Sequence, residues 1–347
     1  MDAVAAKAPA NPFGAPPARR ANSIRRTSTI DTSWPDGFGQ ASRMQGRARD
    51  LVTLGEAGEA RVLAEDWTDI VAAPGRLIAA IETSRCGEAA RELVGARGGG
   101  HLRQEISRLL PEEQAKGSPL HLLLDDFSGA SLVAGWGLAR WDRELVNRIR
   151  AQLPKTGPGS PGRNGSMANV CAGFRPGSSA LQIDGASNVD LMSATRVPSL
   201  ADPADPWSWH GLAPQEGYGA RRARRIDVWF EEVVRIDVGF QDSATSRDGG
   251  ERIAVHEYQV SATADPETFE LLSIVVDPRI LPFPECPAAS PNAERLLGAK
   301  LQGFRLAVLE TLPGTLGCTH LNDLLRSMAD APQLARNLKA ALQAEPA

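Results

Sequence analysis

Apolar and polar positions alternate from Ile253 to Ala262 and again from Leu271 to Val276. That pattern predicts two strands, with Asp265, Pro266 and Glu267 supplying the turn between them. Downstream the period lengthens to that of a helix. Ser290-Pro291 reads as an N-cap followed by a first-position proline. Gly298 and Gly303 interrupt that segment before a helix through Leu306, Val308, Leu309 and Leu312. Leu321, Leu324, Leu325 and Met328, then Leu334, Leu338 and Leu342, place one apolar face on each of two final helices.

The first half of the chain follows the same order. RRTSTIDTSW stands against RRARRIDVWF, GRARDLVT against DVGFQDSAT, and ARVLAEDWTDIVAAPGRLIAAI against ERIAVHEYQVSATADPETFELLSI. The segment ARELVGARGGGHLRQEISRLLPEEQAKGSPLHLLLDD then parallels AERLLGAKLQGFRLAVLETLPGTLGCTHLNDLL. The order survives small changes in offset, as loop insertions would leave it, and this indicates an internal repeat. The expected fold class is α+β, with two tandem degenerate copies, each of strands followed by helices. Residues 1–22, rich in Ala and Pro, read as a disordered tail, and 23–152 as the first copy. Residues 153–223, opening with PKTGPGSPGRNGS, read as a Pro/Gly-rich linker docked in part through VCAGF and PWSWHGL. The second copy takes 224–347, and the two are expected to pack as an intramolecular pseudo-dimer.

Composition adds mainly exclusions. Of 347 residues, 42% are hydrophobic and 23% charged, which permits a large core and argues against global disorder. A formal charge of −4 gives no general basic field for nucleic acid. No apolar run approaches the length of a spanning helix, and the N-terminus lacks the apolar stretch of a secretion signal. Four cysteines, at 86, 171, 286 and 318, form no CxxC pair, in keeping with a reducing, cytoplasmic setting.

The soft donors concentrate in the second copy. Where it carries His256-Glu257, the first carries Glu65-Asp66; where it carries Gly317-Cys318-Thr319-His320, the first carries Gly117-Ser118-Pro119-Leu120. His256, Cys286, Cys318 and His320 together offer imidazole and thiolate for zinc or iron, with Glu257 as an acidic reserve. With Thr319 as N-cap, Cys318 would lie at a helix N-terminus, where a thiol ionises more readily and serves as ligand or nucleophile. Cys86 and Cys171 read as packing residues. ARGGGH at 96–101 lacks the P-loop lysine and fits no dinucleotide fingerprint, so no nucleotide cofactor is expected. Arg221, Arg222, Arg224 and Arg225 read either as a phosphate contact or as a solvated linker end. RRTS at 25–28 matches a short kinase-type pattern, and Trp207, Trp209 and His210 read as linker docking residues. Neither G-x-S-x-G nor HExxH occurs.

At LPFPECPAAS and GCTHLNDLLR the chain resembles a bacterial family known as domain of unknown function 2889, over roughly residues 224–330. RRTSTID and GRARDLV look like its longer, actinobacterial-type members. The resemblance places His256-Glu257, Cys286, Cys318 and His320 at that family's marked positions and implies no mechanism. The order of strand, strand, cysteine, helix, cysteine and helix is more remotely similar to the NifU/SufU-type iron–sulfur scaffold proteins. The chain departs from them in having His256-Glu257 where they have Cys-Gly-Asp. The expectation is therefore a metal site of His256, Cys286 and Cys318, with His320 or Glu257 completing it, for metal or cluster handling or metal-assisted catalysis. The alternatives are a metal-free thiol enzyme, with Cys318 as nucleophile and His256 or His320 as base, and an interaction module without chemistry.

Overall fold

In the computed structural model, residues 7–344 are described apart from 57, 153–166, 184–186 and 189–190. Strands β1 (Ser23–Ser33), β2 (Ser42–Leu54), β3 (Glu59–Ala73) and β4 (Leu77–Thr83) form an antiparallel meander. Six helices follow: α1 (Gly87–Arg91), α2 (Gly100–Leu109), α3 (Pro111–Ala115), α4 (Pro119–Val133), α5 (Leu138–Trp141) and α6 (Arg143–Gln152). After the two-residue β5 (Thr195–Arg196), a second meander runs through β6 (Gly219–Phe230), β7 (Val234–Thr245), β8 (Arg252–Ala264) and β9 (Leu271–Ile280). Helices α7 (Phe304–Thr311), α8 (Thr319–Ser327) and α9 (Ala331–Gln343) close the chain. None of the helices is long and apolar enough to cross a membrane among the described residues.

The two meanders are parts of one sheet. Antiparallel pairing of β1 with β6 gives the order β4-β3-β2-β1-β6-β7-β8-β5, with β9 also on β8. The strand-then-helix order expected of each half is present, and α+β describes the fold. The boundary expected at 223 moves, because Arg221 and Arg222 already lie inside β6 at the centre of the sheet. The tail moves too. Ala10 bridges Ile280, the Asn11 N–H donates to the Arg279 carbonyl at 2.8 Å, and the Phe13 N–H donates to Glu257 at 2.6 Å. Prolines suit such an edge segment, since extended backbone with few donors is what the site requires. Of the linker, 153–166 lies outside the described residues; VCAGF holds a 3-10 turn at Ala172–Phe174, and β5 docks on β8 as a short strand.

Cysteine and proline positions bring smaller corrections. Pro291 lies inside a 3-10 stretch, Cys286–Leu296, instead of starting a helix. Val308 and Leu312 are buried as expected of a core face, while Leu306 and Leu309 are exposed. Cys86 is exposed rather than packed, and Cys171 is buried.

The strand pleat separates two kinds of buried polar layer at the sheet centre. Even-numbered positions of β1 and β6 face the helices; odd-numbered ones face the N-terminal segment and the 195–218 stretch. On the helix side, Arg26 clasps Asp50 through two bonds of 2.6 Å and reaches Asp330, while Arg222 clasps Asp242 at 2.8 and 3.0 Å and reaches Asp323. Arg224, Arg103, Arg305 and Arg326 join these to Asp126 and Asp125. Six guanidinium groups and six carboxylates thus form one connected network that is charge-balanced, which is the condition for burying charges at all. The basic run read as a linker end is this network's strand.

On the opposite face, His210 is clamped by Thr27 at 2.8 Å on Nδ1 and by Thr29 at 3.0 Å on Nε2. Burial, with Arg49 and Arg221 nearby, lowers its pKa to about 3, and burial beside Arg305 lowers that of His121 to about 4. Both imidazoles are therefore neutral in the folded protein near pH 7 and take up a proton on unfolding between their ordinary 6.5 and their lowered folded values. The sign follows: stability is lost as pH falls from 6.5 toward 4, by up to roughly 1.4 kcal/mol per pH unit for each histidine. A thermal-unfolding midpoint measured from pH 7 to pH 4.5 should fall, and His210→Gln should flatten the slope. Parallel slopes for the two proteins would remove His210 from this account.

Candidate metal centre

Strand register builds the centre. In β7 and β8, Asp242 pairs with His256, then a bulge shifts the next pair to Ser243 and Ala254. His256 thereby points to the helix side, beside the carboxylate that Arg222 holds. Helix α8 delivers the third group: His320 stands in its first turn, and its ring stacks on His256 with centroids 3.4 Å apart and planes at 17°. Nδ1 of His256 lies 3.7 Å, and Nε2 of His320 3.9 Å, from Oδ2 of Asp242. These three donor atoms lie within 4.8 Å of one another, the sole such grouping of three or more among the described residues. Both nitrogens are buried with no hydrogen-bond partner.

Electrostatics keep both imidazoles neutral, the form that binds metals. Burial lowers His256 well below its ordinary value, with His320 adding to the effect. Burial, and then Arg222, lowers His320 to about 3. Two imidazoles and a carboxylate suit zinc or ferrous iron, and three protein donors leave positions open. Stacked rings send their lone pairs side by side rather than to one point, so an ion held by both requires one ring to turn.

The remaining expected ligands fall elsewhere. Glu257 follows His256 directly in a regular strand and therefore faces the other side of the sheet, where it accepts from Phe13 and from Gln241. Cys318 is itself the N-cap of α8, with Thr319 the first helical residue. Its sulfur lies 3.9 Å from Nδ1 of His320, on the opposite side of the ring from the Asp242 contact. Burial pushes the Cys318 thiol up, outweighing the neighbouring Tyr258 hydroxyl and the backbone N–H groups of Leu321 and His320, which act the other way. The helix-terminus effect expected to favour thiolate is present but loses to desolvation. Cys286 is likewise buried and pushed well up. Both cysteines line the same cavity as the histidines without joining the triad.

Asp242 was the residue missed. A signal existed in the pairing of GRARD with GFQD, which sets Asp50 against Asp242. Asp50 pairs with Ala64 beside a bulge of the same kind as the one beside Asp242 and His256. Ser118 caps α4 through its side chain, whereas Cys318 holds the N-cap position of α8 without a side-chain bond.

No curated protein and no solved structure matches the chain. Residues 220–333, from β6 into α9, match the family described as protein of unknown function (DUF2889), and that stretch holds Asp242, His256 and His320.

Proposed function

We propose that the chain binds one divalent transition-metal ion, zinc or iron, through Asp242, His256 and His320. The observation that carries this is two buried, unpartnered imidazole nitrogens that each lie within 4 Å of one carboxylate oxygen. Burying a polar nitrogen without a partner is costly, and an ion would satisfy both at once. Arg222 would orient the carboxylate from behind, as outer groups do around bound metals. An ion there would act as a Lewis acid on whatever occupies the cavity beside it, which makes metal-assisted chemistry the favoured use. Cluster handling draws less support, because the buried thiols stand outside the triad.

The internal repeat supports placing the site in one half alone. We infer duplication from reciprocal contacts: Arg25 holds Asp227 across the β1–β6 seam, and Arg221 holds Asp31. Arg26–Asp50 and Arg222–Asp242 repeat the same clasp, each beside a bulge. The β1–β6 seam then corresponds to the interface of a pseudo-dimer. In the first half, Ala64 and Leu120 stand where the second has His256 and His320.

Elemental analysis of untagged protein tests the reading. About one zinc or iron per chain is expected in the wild type and in Cys286→Ser/Cys318→Ser, falling to near zero in His256→Ala and in His320→Ala. Metal that persists in both histidine variants, or that follows the cysteines instead, would overturn the assignment.

A further inference from the structure

We propose that the cavity beside His256 and His320 binds an uncharged ring compound, largely apolar, with one oxygen-bearing end directed at the imidazoles. The cavity measures about 420 Å³. A cavity of about 150 Å³ holds one benzene, so this one has room for two to three ring-sized groups. Phe38, Trp136, Phe174, Phe283, Met167 and Met192 form much of its wall, and no Lys, Arg, Asp or Glu is among the lining residues. Aromatic faces and thioethers favour flat, polarisable rings. With no ion on the histidines, a charged ligand would leave water with no countercharge on the wall to receive it.

His256, His320, Thr319 and Cys318 lie together at one end, through the ring stack and the start of α8, while Ser187 and the Trp136 indole N–H are the other polar groups of the lining. His256 is nine-tenths buried or more, and its Nδ1 has no partner. A hydroxyl or carbonyl oxygen arriving at that end meets neutral imidazole nitrogens, or an ion held by them. Recognition of the rings does not depend on the ion, so the inference goes beyond the metal reading.

Isothermal titration of chelator-treated protein with 2-naphthol and with naphthalene-2-sulfonate, of equal ring size but permanently anionic, tests it. 2-Naphthol should bind saturably at about one per chain, and the sulfonate at least about tenfold more weakly. Val133→Trp and Met192→Trp each put bulk into the cavity and should weaken 2-naphthol by about tenfold or more with the unfolding midpoint retained. Non-saturable 2-naphthol binding, equal affinity for the sulfonate, or binding indifferent to both fillers would overturn the proposal. His256→Ala separates the two readings. Loss of metal with 2-naphthol still bound leaves the cavity standing, whereas metal bound in the wild type without 2-naphthol binding sinks the cavity alone.

Discussion

Arg222→Met is expected to cost about 3–5 kcal/mol of folding stability, the range for removing one partner from a buried ion pair. The Arg222 side chain is 2% exposed and serves three carboxylates: Asp242 through two hydrogen bonds, Asp323 at 2.9 Å and Asp126 at 3.7 Å. Two of these keep other partners, since Arg224 holds Asp126 and Arg103 holds Asp323. Asp242 keeps none but neutral histidines. A carboxylate left buried in that condition must ionise at great cost or take up a proton. With domain stabilities of about 5–15 kcal/mol, a loss of this size removes much of the total. Arg43→Met is the control: its pair with Asp69 is half exposed, and the expected cost is below about 1 kcal/mol. Denaturant unfolding of both variants checks the contrast. Equal costs would mean that the network contributes no more than a surface pair, while partial recovery in Arg222→Met/Asp242→Leu would confirm an orphaned charge as the cause.

Strands and helices were legible because their periods are local. Ile253–Ala262 and Leu271–Val276 fall inside β8 and β9, and the leucine spacing after Cys318 falls inside α8 and α9. The joining of both meanders was not legible. The β1–β6 seam depends on pairing residues almost two hundred positions apart, and neither strand announces its neighbour. The arginines misled for a related reason: Arg221, Arg222, Arg224 and Arg225 look solvated until their aspartates, scattered from Asp31 to Asp323, are brought to them. His256 and His320 were identifiable from their chemistry. Glu257 was excluded by strand parity alone, once the side of the sheet facing α8 was known. Cys318 stands outside the grouping because its sulfur meets the far side of the His320 ring, a placement its helix-start position does not reveal.

Asp50→Asn and Asp242→Asn should separate the architectural clasp from the candidate site. Both aspartates have side chains 2% exposed, each stands beside a bulge, and each accepts two bonds from a strand arginine. In either variant the amide presents NH₂ to one guanidinium donor, so one charge-assisted bond is lost and two donors face each other. The expected penalty is alike, about 1.5–3 kcal/mol in each case. Metal affinity should diverge. Across the sheet from Asp50 stands Ala64, with no nitrogen to share an ion; across from Asp242 stands His256. Asp50→Asn should therefore retain metal near wild-type affinity, and Asp242→Asn should lose about 100-fold or more, at least what altering a group behind a ligand costs. Unfolding curves and competitive zinc titrations on the two proteins give both numbers. Similar stability with unequal affinity assigns Asp242 to the ion; equal loss of affinity would show that damage to the network, and not removal of a ligand, releases the metal.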